Sequence, residues 1–284
     1  MKVFTNSNGQ LRSLWWAAIF FIILAVATFP LILLSQHYKW EITMGHQAIL
    51  VVAVTWICQL LRRKAFTEVS GSFNIITVQQ FFRGLLIGAV LMILPAISLY
   101  LGGWVRWEFQ APEATTILSA TLVFIAVAVA EEFLFRGFLF QRLLESIGIW
   151  GTQLILAGYF LLTHINNPGM AGNIKVFASI NIFLASIMFG LAFIKTRSLS
   201  MPIGIHFAAN WVQGTFFGFG VSGNEDPGIL HPVFNSAPAW LTGGQFGLEA
   251  SVPGLISVIV ILIALYFWKP INTGPSPVIP AYIS

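Results

Sequence analysis

The stretch LVFIAVAVAEEFLFRGFLFQRLLE, residues 122–145, combines the composition of a membrane helix with three charged side chains near its centre. Glu131 and Glu132 are adjacent, and Arg136 follows four residues after Glu132. An ionised side chain in the middle of a membrane helix costs about 2.5–3.5 kcal/mol on insertion scales, so the cluster indicates a functional role. Because residues four apart share a helix face, Arg136 is expected to neutralise Glu132. Glu131 points about 100° away and is free to face another helix. The alternative is that all three form a solvated cap at the cytoplasmic boundary.

The whole chain has the composition of a membrane protein. Of its 284 residues, 57% are hydrophobic and 8% are charged, whereas an ordinary soluble domain is about 25% charged. Long apolar runs recur between turn-rich breaks, and we therefore predict an all-α fold, a polytopic transmembrane helix bundle of about eight spans. The fourth helix is expected to continue past Arg136 toward Glu145. The predicted spans are approximately residues 14–34, 46–61, 82–101, 115–135, 149–164, 176–194, 199–217 and 251–268.

The basic residues are distributed asymmetrically over these spans. Eleven of the 14 Lys and Arg residues fall on the side of the termini, and only Lys39, Arg106 and Lys175 fall on the other side. The positive-inside rule then predicts that both termini are cytoplasmic. The net charge of +4 comes without a basic groove or a nucleic-acid motif, so nucleic acid is excluded as a partner. We expect an integral protein of a prokaryotic plasma (inner) membrane.

The chain divides into three predicted regions. Residues 1–114 hold N-terminal transmembrane helices, residues 115–215 a helical core that carries the candidate chemistry, and residues 216–284 an outer loop, the last transmembrane helix and an irregular tail. Residues 65–80 are polar enough for a cytoplasmic loop or an interfacial helix, and residues 218–250 are predicted to form a long outer loop. Gly84 and Gly88 form a small-xxx-small pair, which is typical of close helix packing.

Two further helices of the core carry polar side chains. His164 closes an apolar helix, where an isolated histidine would more often have a structural role. His206 and Asn210 are four apart, so both project from one helix face, although an amide in that position also serves simply to link helices. Together with the acidic pair, these side chains are of the types that activate water: a carboxylate to take its proton, imidazoles to orient it or bind a metal, and an amide to hold a developing oxyanion.

The order and spacing of these residues resemble the three motifs of the CPBP intramembrane protease family, also called Abi, which includes the type II CAAX prenyl endopeptidases. The similarity covers about residues 115–215. The residues that carry it are Glu131-Glu132-x-x-x-Arg136, then Phe160-x-x-x-His164, then His206-x-x-x-Asn210.

The resemblance implies a role for each of these residues. Glu131 corresponds to the catalytic glutamate that activates water, with Glu132 and Arg136 as its support. His164 would orient the same water or bind a metal. The tetrahedral oxyanion would be stabilised by His206 and Asn210.

The resemblance leaves the cofactor open. Glu131, His164 and His206 would supply three ligands to Zn²⁺ and leave a fourth position for water, which suits a catalytic zinc site. A metal-free mechanism based on the glutamate remains equally open.

The leading hypothesis is therefore an intramembrane endopeptidase that cleaves a protein or peptide substrate, with or without a lipid anchor. Its site is expected to open toward the cytoplasm. The alternatives are a non-catalytic membrane scaffold or bacteriocin-immunity protein of the same fold, and a transporter in which buried Glu and His residues relay protons.

Overall fold

The computed structural model describes residues 3–5, 9, 11–225 and 227–269, and this part of the chain is mainly helical. The predicted all-α polytopic bundle is confirmed. Five helical segments are long and apolar enough to cross a membrane: Ser13–Tyr38, Met44–Leu61, Ile75–Leu101, Ala114–His164 and Gly172–Thr196. The predicted irregular tail from Pro270 lies outside the described residues.

The helices and strands follow one another along the chain in a simple order. The first half holds α1 (Ser13–Tyr38), α2 (Met44–Leu61), the short α3 (Thr67–Ser70), α4 (Ile75–Leu101), β1 (Val105–Phe109) and α5 (Ala114–Glu132). A π-helical turn (Phe133–Gly137) joins α5 to α6 (Phe138–His164). The second half holds α7 (Gly172–Thr196), α8 (Ser200–Trp211), a second π-helical turn (Val212–Phe216), β2 (Leu230–Phe234), α9 (Ala239–Thr242), a 3-10 turn (Leu248–Ala250) and α10 (Val252–Phe267).

The longest helical segment reverses direction at Gly148. This residue has φ 71° and ψ −176°, which are not helical, so α6 is divided into two arms there. The positive φ favours glycine, since a side chain would be strained in that conformation. The helix that begins at Ala114 therefore continues through the π-helical turn to Ile147, as predicted for the fourth span, and residues 149–164 form the next crossing.

The helix ends define two opposite faces of the bundle. The terminal face consists of residues 3–5, 9, 11–12, 62–74, 145–148, 197–199 and 268–269, and there Glu68 accepts hydrogen bonds from Arg62 at 3.0 Å and Arg142 at 3.3 Å. The loop face consists of residues 39–43, 102–113, 165–171, 217–225 and 227–251. Its two strands pair antiparallel, β1 with β2, and Trp107 Nε1 donates to the carbonyl oxygen of Phe217 at 3.1 Å.

The predicted close packing of Gly84 and Gly88 is confirmed. Both glycines face α8, and a Cβ atom would collide with the backbone oxygen of Met201 at Gly84 and with that of Ile205 at Gly88. Gly204 of α8 is equally close to the backbone oxygen of Phe81. The small residues thus bring the backbones of α4 and α8 into contact, and they fix the position of the helix that carries His206 and Asn210.

Two sequence predictions need correction. Helix α4 begins at Ile75 rather than at residue 82, because Asn74 Oδ1 accepts hydrogen bonds from the backbone nitrogens of Ile76 at 2.9 Å and Thr77 at 3.1 Å. Residues 75–80, the end of the segment 65–80 that was predicted to be a loop or an interfacial helix, are thus the first turns of α4. The predicted outer loop 218–250 contains β2, whose partner β1 lies more than a hundred residues earlier in the sequence.

Candidate active site

The acidic pair lies where α5 passes into a π-helical turn. Glu131 and Glu132 are the last two residues of α5, and residues 133–137 form the π-helical turn that contains Arg136. Single π-turns of this kind occur frequently at functional sites, because the extra residue changes the direction of the side chains that follow.

Glu132 forms the predicted ion pair. Its Oε1 atom lies 3.2 Å from Nη1 of Arg136, and the two side chains are 0% and 1% exposed. The same Oε1 atom lies 2.9 Å from Nδ1 of His206 on α8. A single carboxylate oxygen therefore binds a cation of its own helix and an imidazole from a helix far away in sequence.

The guanidinium group of Arg136 makes hydrogen bonds and also contacts aromatic rings. Its Nη2 atom donates to Oγ of Ser186 at 2.7 Å and to the backbone oxygen of Ser186 at 2.8 Å. The guanidinium carbon lies 5.1 Å from the ring centroids of Phe160 and Phe189, a cation–π arrangement. Arg136 thus ties the acidic pair to α6 and α7, and it does not line the cavity described below.

His206 is oriented by two neighbours. Its Nδ1 atom faces the carboxylate of Glu132. This nitrogen therefore carries a hydrogen and donates a hydrogen bond to the carboxylate. The ring stacks on Phe189, with centroids 5.0 Å apart and an interplanar angle of 17°. These contacts turn Nε2 of His206 toward Glu131, whose Oε2 atom lies 3.7 Å away.

Glu131 is left without a hydrogen-bond partner. Its Oε2 atom is buried and accepts no hydrogen bond within the described part of the chain, since 3.7 Å to His206 exceeds hydrogen-bond length. The side chain is 19% exposed and lines a cavity. A buried carboxylate oxygen of this kind needs a polar partner, and a water molecule about 2.8 Å from both Oε2 and Nε2 would satisfy the two atoms at once.

His164 and Asn210 line the same cavity from α6 and α8. His164 Nδ1 lies 2.8 Å from the backbone oxygen of Phe160, which accepts a hydrogen bond from its N–H. The other ring nitrogen, Nε2, therefore has a free lone pair that can accept a hydrogen bond. Asn210 is partly buried one helical turn after His206.

The cavity has a volume of about 680 Å³ and brings together four of the six predicted site residues. Glu131, His164, His206 and Asn210 line it, while Glu132 and Arg136 do not reach the cavity wall. Its other lining residues are mostly apolar, and they include Phe124, Phe135 and Val258. Such a concave apolar site with a few converging polar groups is typical of a ligand or substrate pocket.

Two lining residues were not predicted from the sequence. Asn181 of α7 is 1% exposed, and its amide nitrogen has no hydrogen-bond partner within the described residues. An amide in the middle of an apolar helix is the signal by which it could have been found. Glu249, from the 3-10 turn on the loop face, accepts hydrogen bonds from the backbone nitrogen of Ser222 at 2.5 Å and from its hydroxyl at 3.1 Å. Burial raises the pKa of Glu249, although the bond from Ser222 and the nearby His164 act in the opposite direction.

The residues present do not fit a three-ligand metal site. Among the residues that the structure describes, no three His, Cys, Asp or Glu side chains gather into a metal-ligand cluster. Glu131, His164 and His206 border one cavity but do not form a group that could hold one ion as three ligands, so the chemistry below is derived without a metal.

The cavity opens on the unexpected side of the bundle. Its lining continues from Glu131 to Gln47 at the start of α2 and to Ser222 and Asn224 in the loop, and Gln47 and Asn224 are exposed. All of these residues belong to the loop face or to the helix ends beside it. The predicted opening on the side of the termini is therefore wrong. The prediction placed the site near the inner end of the fourth helix, but this helix extends well beyond Glu131 to the terminal face.

Comparisons with known proteins agree with this site. Residues 113–212 match the family model described as type II CAAX prenyl endopeptidase Rce1-like, and the matched region contains all six predicted site residues. No curated protein matches the chain. The match supports the family predicted from the three motifs: over residues 113–212, this integral membrane protein is similar to the type II CAAX prenyl endopeptidase Rce1-like proteins of the CPBP family.

Proposed function

We propose that the protein is an intramembrane endopeptidase in which Glu131 activates a water molecule for attack on a peptide bond. The observation that carries the proposal is the unpartnered Oε2 atom of Glu131, 3.7 Å from Nε2 of His206 at the wall of the cavity. A buried acceptor beside an oriented imidazole is suited to hold a polar reactant.

The charges of the site support this assignment. Glu131 and Glu132 carry two negative charges, Arg136 carries one positive charge, and a protonated His206 would make the cluster neutral. Neutrality is favoured in a buried, low-dielectric site, where an unbalanced charge is expensive. In the protonated form, His206 donates from both nitrogens, through Nδ1 to Glu132 and through Nε2 into the cavity.

In the first step, the attacking water loses its proton to Glu131 while its oxygen bonds to the scissile carbonyl carbon. The free Nε2 atom of His164 accepts a hydrogen bond from the second hydrogen of this water and so orients it. The carbonyl π electrons move onto oxygen, and the oxyanion accepts hydrogen bonds from Nε2 of His206 and from the amide of Asn210.

In the second step, Glu131 returns the proton to the amide nitrogen, the carbon–nitrogen bond breaks, and an amine and a carboxylic acid leave. Glu132 and Arg136 touch no reacting atom in this scheme. They act as positioning residues, because Glu132 fixes the ring of His206 and Arg136 fixes Glu132.

The test is hydrolysis by purified protein in proteoliposomes, with a farnesylated CAAX peptide and a non-lipidated quenched fluorescent peptide as probes. Glu131→Gln should lower kcat by about 10²–10⁴-fold, the usual contribution of a general base. Glu113→Gln is the matched control, since this exposed carboxylate lies just before α5. Unchanged turnover of Glu131→Gln would contradict the proposal.

A complementation assay separates the enzyme from the non-catalytic scaffold. Under the proposal, Glu131→Ala and His206→Ala lose the biological activity of the protein although they are inserted normally. Full activity of both variants in cells would instead identify a scaffold or immunity role.

A further inference from the structure

We propose that a groove between α4 and α10 binds an anionic phospholipid, with an acyl chain against its apolar walls and the phosphate group beside the cations at one end. The groove is separate from the catalytic cavity and shares no lining residue with it. The proposal is therefore independent of the proposed endopeptidase function.

Two helix faces form the walls of the groove. The lining residues of α4 are three or four positions apart, and those of α10 have the same spacing, so each set projects from one face of its helix. Apart from Arg83 the walls are apolar, and they are open at the outer surface of the bundle, where Leu86 is 67% exposed. The wall residues are Arg83, Leu86 and Ile87 of α4, and Ile261, Ala264 and Leu265 of α10.

The shape of the groove suits an acyl chain. Nearer the middle of the bundle, Oγ of Ser257 on α10 donates to the backbone oxygen of Leu91 on α4 at 2.8 Å, so the two helices touch there. The groove lies between Leu265 and Arg83, eight residues further toward the terminal face on each helix. Its volume is about 440 Å³, which corresponds to roughly one turn of an α-helix with its side chains. A single row of methylene groups fits this space, whereas a helix of a partner protein does not.

Three cations lie at the end of the groove nearest the terminal face. Arg83 lines the groove and is exposed. Lys195 lies beside Trp268, because its Nζ atom donates to the backbone oxygens of Trp268 at 2.9 Å and Tyr266 at 3.1 Å. Lys269 follows Trp268 in the chain and is exposed. Trp268 itself lines the groove, and tryptophan is typical of the headgroup level of a membrane.

The described part of the protein supplies no carboxylate for these three cations. None of Arg83, Lys195 and Lys269 forms an ion pair within it. The two acidic side chains on the terminal face are bound by other arginines. Basic side chains at a membrane surface attract anionic headgroups, and a guanidinium binds phosphate strongly through its N–H donors. The complementary ligand is thus a phospholipid with a net negative headgroup, such as phosphatidylglycerol.

Native mass spectrometry of the delipidated protein in detergent tests the headgroup. The probes are phosphatidylglycerol and phosphatidylcholine with identical acyl chains, and the readout is the apparent Kd of the first bound lipid. We expect phosphatidylglycerol to bind more tightly. Arg83→Gln should weaken its binding about fivefold, the effect of one cation near a membrane surface, and should leave phosphatidylcholine binding unchanged.

Arg63→Gln is the matched control. Arg63 is an exposed arginine of the terminal face that lies outside the groove and forms no ion pair with the described residues, so this variant should keep the parent Kd. Equal affinities for the two lipids, or equal weakening by Arg83→Gln and Arg63→Gln, overturn the proposal, because the face would then attract lipid without a defined site. Binding of glycerol phosphate as tight as that of the lipid would show a site for a free anion and also overturn it.

Photo-crosslinking tests the position of the acyl chain. Phosphatidylglycerol with a diazirine in one chain is added to phosphatidylcholine vesicles that contain the protein, and the adducts are mapped by peptide mass spectrometry. We expect adducts near Leu86 and Ala264, and their loss in Ala264→Phe, where the ring fills the groove. Leu118→Phe is the control, since Leu118 of α5 is 59% exposed and outside the groove. Because Ala264 is exposed, the Tm in lipid-free detergent should not change. Adducts outside α4 and α10, or adducts that persist in Ala264→Phe, overturn the proposal.

Discussion

Replacing each of the two adjacent glutamates with glutamine should change the stability of the protein to very different extents. In Glu132→Gln the side chain keeps its shape but loses the charge that binds Arg136 at 3.2 Å and His206 at 2.9 Å. In Glu131→Gln the same chemical change removes a charge whose Oε2 atom has no hydrogen-bond partner within the described residues.

The size of the effect follows from burial. Glu132 and Arg136 are 0% and 1% exposed, so the guanidinium cannot turn to water when its counterion is lost. Removing one partner of a buried ion pair typically costs about 3–5 kcal/mol. The two bonds from Arg136 to Ser186 remain and soften the loss, and we expect about 3 kcal/mol for Glu132→Gln. For Glu131→Gln we expect less than about 1 kcal/mol, because no hydrogen bond is broken.

The assay measures the Tm of the purified variants in detergent, and the rate of peptide cleavage is measured on the same samples. A loss of about 3 kcal/mol should lower the Tm of Glu132→Gln by roughly 6–12 °C. The Tm of Glu131→Gln should stay within roughly 4 °C of the parent protein although its activity is lost. Equal Tm values for the two variants, or a lower Tm for Glu131→Gln, would refute the assignment of Glu132 as the structural carboxylate and Glu131 as the free one.

Three further outcomes follow from the packing, the loop carboxylate and the ligand geometry. Gly88→Ala should destabilise the protein by about 1–3 kcal/mol and lower activity, because its Cβ meets the backbone oxygen of Ile205; Gly158→Ala, where the Cβ meets nothing within 4 Å, is the control and should keep the parent Tm and rate. The pKa of Glu249 is raised above its ordinary value of 4.5, so the folded state holds this proton more tightly than the unfolded chain does. The contribution of Glu249 to the stability of the fold is then greatest below pH 4.5, and it is lost as the pH rises through the pKa of the folded state. The Tm of Glu249→Gln relative to the parent should therefore increase with pH, and a constant difference from pH 4 to 9 would count against burial as the cause. Finally, 1,10-phenanthroline should leave the cleavage rate unchanged, since the three predicted ligands form no cluster; inhibition that added Zn²⁺ reverses would contradict this reading.

Local relationships were predictable from the sequence. The pairing of Glu132 with Arg136 follows from a four-residue spacing on one helix. The helix start at Asn74 was also readable, because an Asn is a preferred N-cap residue, but the polar composition of residues 65–80 as a whole hid it.

Tertiary relationships were not predictable in the same way. The bond between Glu132 and His206 joins residues 74 positions apart and depends on how α5 and α8 pack. The presence of Glu249 in the cavity depends on the path of a loop, and loops have no periodicity from which a direction can be predicted. To predict the side on which the cavity opens, one would need both the directions of the helices and the identity of the lining residues. A sequence motif contains neither.

The reversal at Gly148 sets the height of two reactive groups in the membrane. Glu131 precedes Gly148 by 17 residues and His164 follows it by 16, so the two helical arms are almost equal in length. At about 1.5 Å per residue, each arm rises roughly 25 Å, and the carboxylate and the imidazole arrive at nearly the same depth. Inserting one alanine in a single arm would shift one group by about 1.5 Å and rotate it by about 100° relative to the other. The hairpin therefore tolerates substitutions along its arms far better than changes in their length.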